Sequence, residues 1–136
     1  MKYVVHTDGG ARGNPGPAAI GVVIETAQGK KIAEFGKRIG ETTNNVAEYV
    51  ALAQALKYIK REPGIEIDCY LDSVLVVNQL MGTFKVKDSK LRELLMQIRG
   101  LEQDLGGVVR YHVVPRENNA RADFFVNQAL DNHLIG

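Results

Sequence analysis

The sequence predicts an α/β fold: a five-stranded mixed sheet with helices on both faces. Two observations carry this expectation. Three β-rich segments follow one another before the first helical pattern, and each later strand is reached through a helix. Strands joined by tight turns pair antiparallel, whereas strands joined through helices pair parallel. The predicted order of elements is β-β-β-α-β-α-α-β-α.

The elements follow in order. Lys2 to Thr7, with Tyr3, Val4 and Val5, predicts the first strand. Ala18 to Thr26 predicts the second, through Ile20, Val22, Val23 and Ile24. Ala27-Gln28-Gly29-Lys30 reads as a hairpin turn into a third strand, Lys31 to Ile39. Thr42 to Lys60 predicts a long helix, because Val46, Val50, Ala53, Leu56 and Ile59 recur at three- and four-residue steps. Thr43 or Asn44 can cap its start, and Pro63-Gly64 lies past its end. Ile65 to Leu71 predicts the fourth strand, with Ile65, Ile67, Cys69 and Leu71 on one side. A short helix follows from near Asp72-Ser73 to Leu80, then a loop from Gly82 to Asp88. Ser89 to Leu105 predicts a second long helix on the stripe Leu91, Leu94, Leu95, Ile98, Leu101 and Leu105, stopped by Gly106-Gly107. Val108 to Val114 predicts the fifth strand. The last helix starts near Asn119 and carries Ala122, Phe125, Val126, Ala129 and Leu130.

Composition narrows the function. A chain of 136 residues suits a single domain, expected to span residues 1–136. Its 45% apolar and 24% charged content is that of a soluble globular protein. The net charge of +1 excludes a domain that gathers nucleic acid through its overall field, so any such surface is a local patch. No apolar stretch approaches the roughly 20 residues that span a bilayer, and the apolar run at the N-terminus is too short for a secretory signal. Cys69 is the single cysteine, so no internal disulfide forms. A cytoplasmic monomer that does not bind membranes is the expectation.

The chemistry-bearing residues are acids. Ligand sites in open α/β sheets lie beyond the C-terminal ends of the parallel strands. Asp8 follows the first strand, Asp72 the fourth, and Glu48 and Asp123 sit in the first turns of helices expected to start at the same rim. Four converging carboxylates repel one another unless some stay protonated or cations pair with them. A pair of Mg²⁺ ions meets that need, since Mg²⁺ takes oxygen ligands. Two such ions about 3.5–4 Å apart hold the attacking and leaving oxygens of a phosphodiester displacement. Each acid also has a simpler reading. Asp72 can cap the helix behind it, Glu48 and Asp123 can complement helix dipoles, and Asp8 can open a glycine-rich turn.

Five segments, in order and covering nearly the whole chain, resemble the type 1 ribonuclease H family in its compact form without a basic protrusion. They are TDGGARGNPGPAAIG, TTNNVAEYVALAQAL, LDSVLVVNQL, FKVKDSKLRELL and VPRENNARADFFVNQAL. The resemblance implies the ribonuclease H-like fold. It also implies a metal-dependent endoribonuclease that hydrolyses the RNA strand of RNA/DNA hybrids to 5′-phosphate and 3′-hydroxyl ends. Asp8, Glu48, Asp72 and Asp123 would be the catalytic, metal-holding residues, with two Mg²⁺ ions when substrate is bound and Mn²⁺ as a substitute. Asp8 would touch both ions, Asp123 the water-activating ion, and Glu48 and Asp72 the ion at the leaving oxygen. Gly9, Gly10 and Gly13 would bring main chain close to a sugar-phosphate backbone lined with 2′-hydroxyls. Asn14, Asn44 and Asn45 would reach into the minor groove, Thr43 would hold a DNA phosphate, and Phe84, Lys85 and Lys87 would face the DNA strand.

The chain also departs from the family pattern. The loop Pro115–Asn119 has no histidine, where many members place one. His112 falls in a strand, and His6 and His133 offer no substitute. Glu41 stands where a basic residue is common, Val74 where a polar one is, and there is no tryptophan. These changes point to weaker substrate contact and leave an alternative: a catalytically weak or inactive hybrid-binding module. A nucleotide-binding lobe of the actin-like class and a DNA strand-transfer domain are further rivals. The first is disfavoured because one lobe cannot close on nucleotide, the second by the GGARGN and TTNN segments.

Overall fold

The computed structural model describes residues 1–132. The order is β1 (Lys2–Ala11), β2 (Gly16–Thr26), β3 (Lys31–Thr42), α1 (Asn44–Tyr58), β4 (Glu66–Leu71), α2 (Val74–Leu80), α3 (Ser89–Leu105), β5 (Val108–Val113) and α4 (Ala120–Asn132), with a 3-10 turn at Arg116–Asn119 before α4. The five strands form one mixed sheet in the order β3-β2-β1-β4-β5. β1 pairs antiparallel with β2 and parallel with β4, β2 pairs antiparallel with β3, and β4 pairs parallel with β5. No helix among the described residues is long and apolar enough to cross a membrane.

The two faces of the sheet are dressed differently. Val5, Ile20, Val22, Ile24, Ile65, Ile67, Cys69 and Leu71 are fully buried on the face that carries α1, α2 and α3. The other face takes α4, whose Val126 and Leu130 pack on Ala19 of β2. Three glycines set how closely these helices sit. A Cβ on Gly9 of β1 would lie 2.2 Å from the Ala47 carbonyl carbon of α1. On the opposite face, Cβ atoms on Gly21 and Gly36 would lie 2.0 and 2.2 Å from the Ala122 and Phe125 carbonyl oxygens of α4. α1 and α4 thus rest directly on sheet backbone, and they are the helices that carry Glu48 and Asp123.

Several boundaries differ from the sequence reading, each for a physical reason. β1 does not end at Thr7: Asp8 to Ala11 continue the ladder against Gly21 to Ala18. β3 extends to Thr42, so α1 starts later, and it ends at Tyr58 because Ile59 is extended. The apolar stripe expected for α1 is too narrow. Ala47, Tyr49, Ala51, Leu52, Ala55 and Leu56 are buried while Val46 and Val50 are only partly so. A helix packed between a sheet and a second helix is apolar on most of its circumference and loses its periodic signature. Phe84 lies in irregular chain, as the expected loop from Gly82 to Asp88 requires.

Candidate active site

Topology brings the acids together. The parallel ladder between β1 and β4 ends at the pair His6–Tyr70. Asp8 and Asp72 each lie two residues beyond it, on the same side of the sheet rim. Asp8 is held inside the β1–β2 ladder opposite Gly21, not on a free strand end. Asp72 precedes α2, and its simpler reading as a helix cap does not hold. Ser73 is the cap, its Oγ accepting from the Val76 N–H at 3.2 Å, which leaves the Asp72 carboxylate available. Glu48 is one turn into α1, and Asp123 is in the first turn of α4.

One carboxylate oxygen each from Asp8, Glu48 and Asp72 lies within 4.8 Å of the other two. Asp123 joins them in the wall of a cleft of about 520 Å³, where its charge acts on Asp8. Asp8 and Glu48 are buried. The Gly9 N–H donates to Glu48 Oε1 at 2.7 Å, while Glu48 Oε2 is buried without a partner. Burial pushes the Asp8 carboxyl up from its ordinary 3.8 to about 7, the Asp72 and Asp123 charges add to the rise, and a hydrogen bond with Glu48 opposes it. Glu48 is driven well above the usual carboxylate range, first by burial and then by Asp8 beside it. Protein groups alone therefore leave excess negative charge and an orphaned oxygen. A cluster of hard oxygen donors with both properties fits a divalent cation of the Mg²⁺ or Mn²⁺ type.

The neighbouring residues sort into several roles. Gly9 and Gly10 line the cleft, and the missing Cβ of Gly9 makes room for α1 itself. Asn44 Oδ1 accepts from the Ala11 N–H at 2.8 Å, and the Asn44 N–H donates to Asn14 Oδ1 at 2.9 Å. The β1–β2 turn and the start of α1 are thus one unit. The sequence offered Thr43 or Asn44 as the cap of α1. The cap is Thr43, whose Oγ1 accepts from the Val46 N–H at 3.2 Å, and Asn44 spends its side-chain oxygen on β1 instead. Asn45 lines the cleft. Phe84, Lys85 and Lys87 lie apart from the cleft, on the exposed segment between α2 and α3.

Some neighbours were not singled out beforehand. Asn119 is buried, with its Nδ2 donating to the Thr7 carbonyl at 2.8 Å and lying 3.4 Å from Asp72 Oδ2. It ties the turn before α4 to both β1 and the third acid. A buried asparagine four residues before Asp123 was the available signal. Arg116 lines the cleft from the loop that lacks a histidine, and Asn127 Nδ2 lies 3.3 Å from Asp123 Oδ2. His6 and His112 stack on either side of Tyr70, and His112 Nε2 meets Asp68 at 2.8 Å. They are not among the cleft walls, and His133 lies outside the described residues.

Comparison with known proteins agrees with this geometry. The family model described as Reverse transcriptase-like matches residues 6–129. A bifunctional protein of Mycobacterium tuberculosis is 42% identical over 132 residues, covering 96% of this chain and 36% of its own. The ribonuclease HI of Halobacterium salinarum is 43% identical over 124 residues, 91% of this chain and 62% of its own. The chain thus spans about a third of the length of the mycobacterial relative it matches. LC11 ribonuclease H1, solved in complex with an RNA/DNA hybrid, superposes with a TM-score of 0.91 at 43% identity, covering 97% of this chain and 99% of that one. The site, the sheet order and these relatives together establish that this chain belongs to the type 1 ribonuclease H family.

Proposed function

We propose that this chain is an endonuclease that hydrolyses the RNA strand of RNA/DNA hybrids, leaving 5′-phosphate and 3′-hydroxyl ends. The observation that carries the reading is the convergence of Asp8, Glu48 and Asp72 within 4.8 Å, with Asp123 in the wall of the same cleft, in a member of this family. These four carboxylates would hold two divalent ions, Mg²⁺ or Mn²⁺, when substrate is bound. Such ions acidify water and neutralise charge that builds on a phosphodiester.

The chain's own residues act by placing and tuning those carboxylates. Asp8, the most central, is fixed by the β1–β2 ladder. The Gly9 N–H fixes one oxygen of Glu48 and leaves the other buried without a protein partner. Asn119 steadies Asp72 through its side-chain amide. The cleft wall formed by Gly9, Gly10, Asn44 and Asn45 is short-chained, which suits close approach to a sugar edge bearing 2′-hydroxyls. Asn14 would reach into the minor groove with Asn44 and Asn45, and Thr43, Phe84, Lys85 and Lys87 extend the proposed surface toward the DNA strand. We further propose a monomeric, cytoplasmic protein acting as one catalytic domain.

The test is cleavage of an end-labelled RNA/DNA hybrid with Mg²⁺ or Mn²⁺, beside single-stranded and double-stranded RNA. Hybrid-selective internal cuts support the reading. Folded protein that binds hybrid and cuts it with neither ion would replace it with the hybrid-binding module.

A further inference from the structure

We propose that Arg12 holds a phosphate of the RNA strand as that strand leaves the carboxylate cleft, with Asp131 as its stand-in partner when no substrate is present. The inference rests on hybrid being the substrate. Arg12 starts the turn between β1 and β2, and its backbone is pinned there. Its N–H donates to the Pro17 carbonyl at 2.8 Å, and its own carbonyl is packed so tightly against Gly16 that a Cβ there would lie 2.2 Å away. Its side chain lies on a ridge between two depressions. One is the cleft holding Asp8, Glu48, Asp72 and Asp123. The other, of about 630 Å³, is lined by Pro17, Ala18, Arg38, Gly40 and Glu41, and Arg12 and Leu130 are common to both. The two adjoin at Arg12 and Leu130, and together they make the track proposed for the strand.

The charge pattern fits a polyanion on that track. The first depression holds four carboxylates, which repel a phosphate backbone until cations are present. Arg116 is the other cation in the first depression; Arg12 is the cation common to both, and Arg38 stands with Glu41 in the second, beside a largely apolar floor. The Arg12 guanidinium meets Asp131 Oδ1 of α4 at 2.6 Å, with both side chains exposed, 46% and 62%. An exposed pair of this kind contributes little to stability, so exchanging it for a phosphate costs little. The planar guanidinium can grip two oxygens of one phosphate, a contact stronger than a neutral hydrogen bond.

The test measures hybrid affinity by fluorescence anisotropy across a salt series, using the whole chain. The variants are Arg12→Ala, Arg12→Gln, Asp131→Asn, the Arg12→Ala/Asp131→Asn double, and Lys30→Ala at the far hairpin as a charge-matched control. Both Arg12 substitutions should weaken binding about fivefold near 0.1 M salt and lower the salt slope by about one, the signature of one lost phosphate contact. Asp131→Asn should tighten binding about twofold, and only while Arg12 is present. Lys30→Ala should match the parent. A wild-type salt slope in both Arg12 variants would overturn the proposal while hybrid binding by the parent left hybrid standing as the ligand. So would tightening by Asp131→Asn in the Arg12→Ala background, because it would mark a general charge effect. A parent chain that binds no hybrid would overturn both.

Discussion

Replacing Asp8 by Asn should stabilise the metal-free protein, and by an amount that depends on pH. Burial and the Asp72 and Asp123 charges raise the Asp8 carboxyl from 3.8 to about 7. In the unfolded chain the carboxyl ionises near its ordinary value, so the folded state holds its proton more tightly. Stability conferred by that proton is fully present below pH 3.8 and is lost as pH rises through about 7. A rise of that size corresponds to at most about 4 kcal/mol at alkaline pH. Relaxation of the coupled cluster and water entering the open cleft reduce this, so about 2 kcal/mol is expected. For a domain of this length that is a Tm increase of about 7 °C. The assay is thermal unfolding in EDTA at pH 5 and pH 8.5, followed by circular dichroism. Asp8→Asn should melt well above the parent at pH 8.5, and the gap should shrink at pH 5. Adding Mg²⁺ or Mn²⁺ should raise the parent's Tm more than the variant's, because cations replace the missing proton. A variant that melts below its parent at pH 8.5 without metal would refute the charge-excess reasoning.

Other consequences follow from the packing. Gly9→Ala should cost about 3 kcal/mol, since the new methyl must displace α1 backbone, whereas Gly100→Ala on open α3 surface should gain about 0.5–1 kcal/mol from helix propensity. Urea titration of both tests the close-approach argument, which fails if the two substitutions behave alike. Asn119→Ala should lose about 1–3 kcal/mol by stranding the Thr7 carbonyl. It should also lower kcat with little change in KM, since Asp72 loses its support. An unchanged kcat would remove Asn119 from the positioning role.

How much of this was legible in the sequence depended on how local the cause was. The four acids, the element order and the two-faced sheet were readable because alternation and helical periodicity are local properties of the chain. Asp72 with Ser73 was ambiguous, because either residue type can cap a helix. Only the Ser73 hydroxyl accepting from Val76 resolves it. The length of β1 was hidden because Gly9 and Gly10 signal a turn by composition, yet both continue the ladder to β2 and the missing side chain of Gly9 serves the close approach of α1. The true buried face of α1 was hidden by being nearly all round. Asn119 was overlooked because its partners, Thr7 and Asp72, are distant in sequence.

The central claim is that the Asp8–Glu48–Asp72–Asp123 cluster cuts RNA in hybrids through the divalent ions it holds. The most direct measurement is single-turnover cleavage of an end-labelled hybrid as Mg²⁺ or Mn²⁺ is titrated, with Asp8→Asn beside the parent. The account predicts no cleavage in EDTA and metal-dependent internal cuts by the parent. It also predicts loss of at least about a thousandfold in rate for the variant while hybrid binding persists. Cleavage that survives EDTA, or that Asp8→Asn performs at the parent's rate, would contradict it.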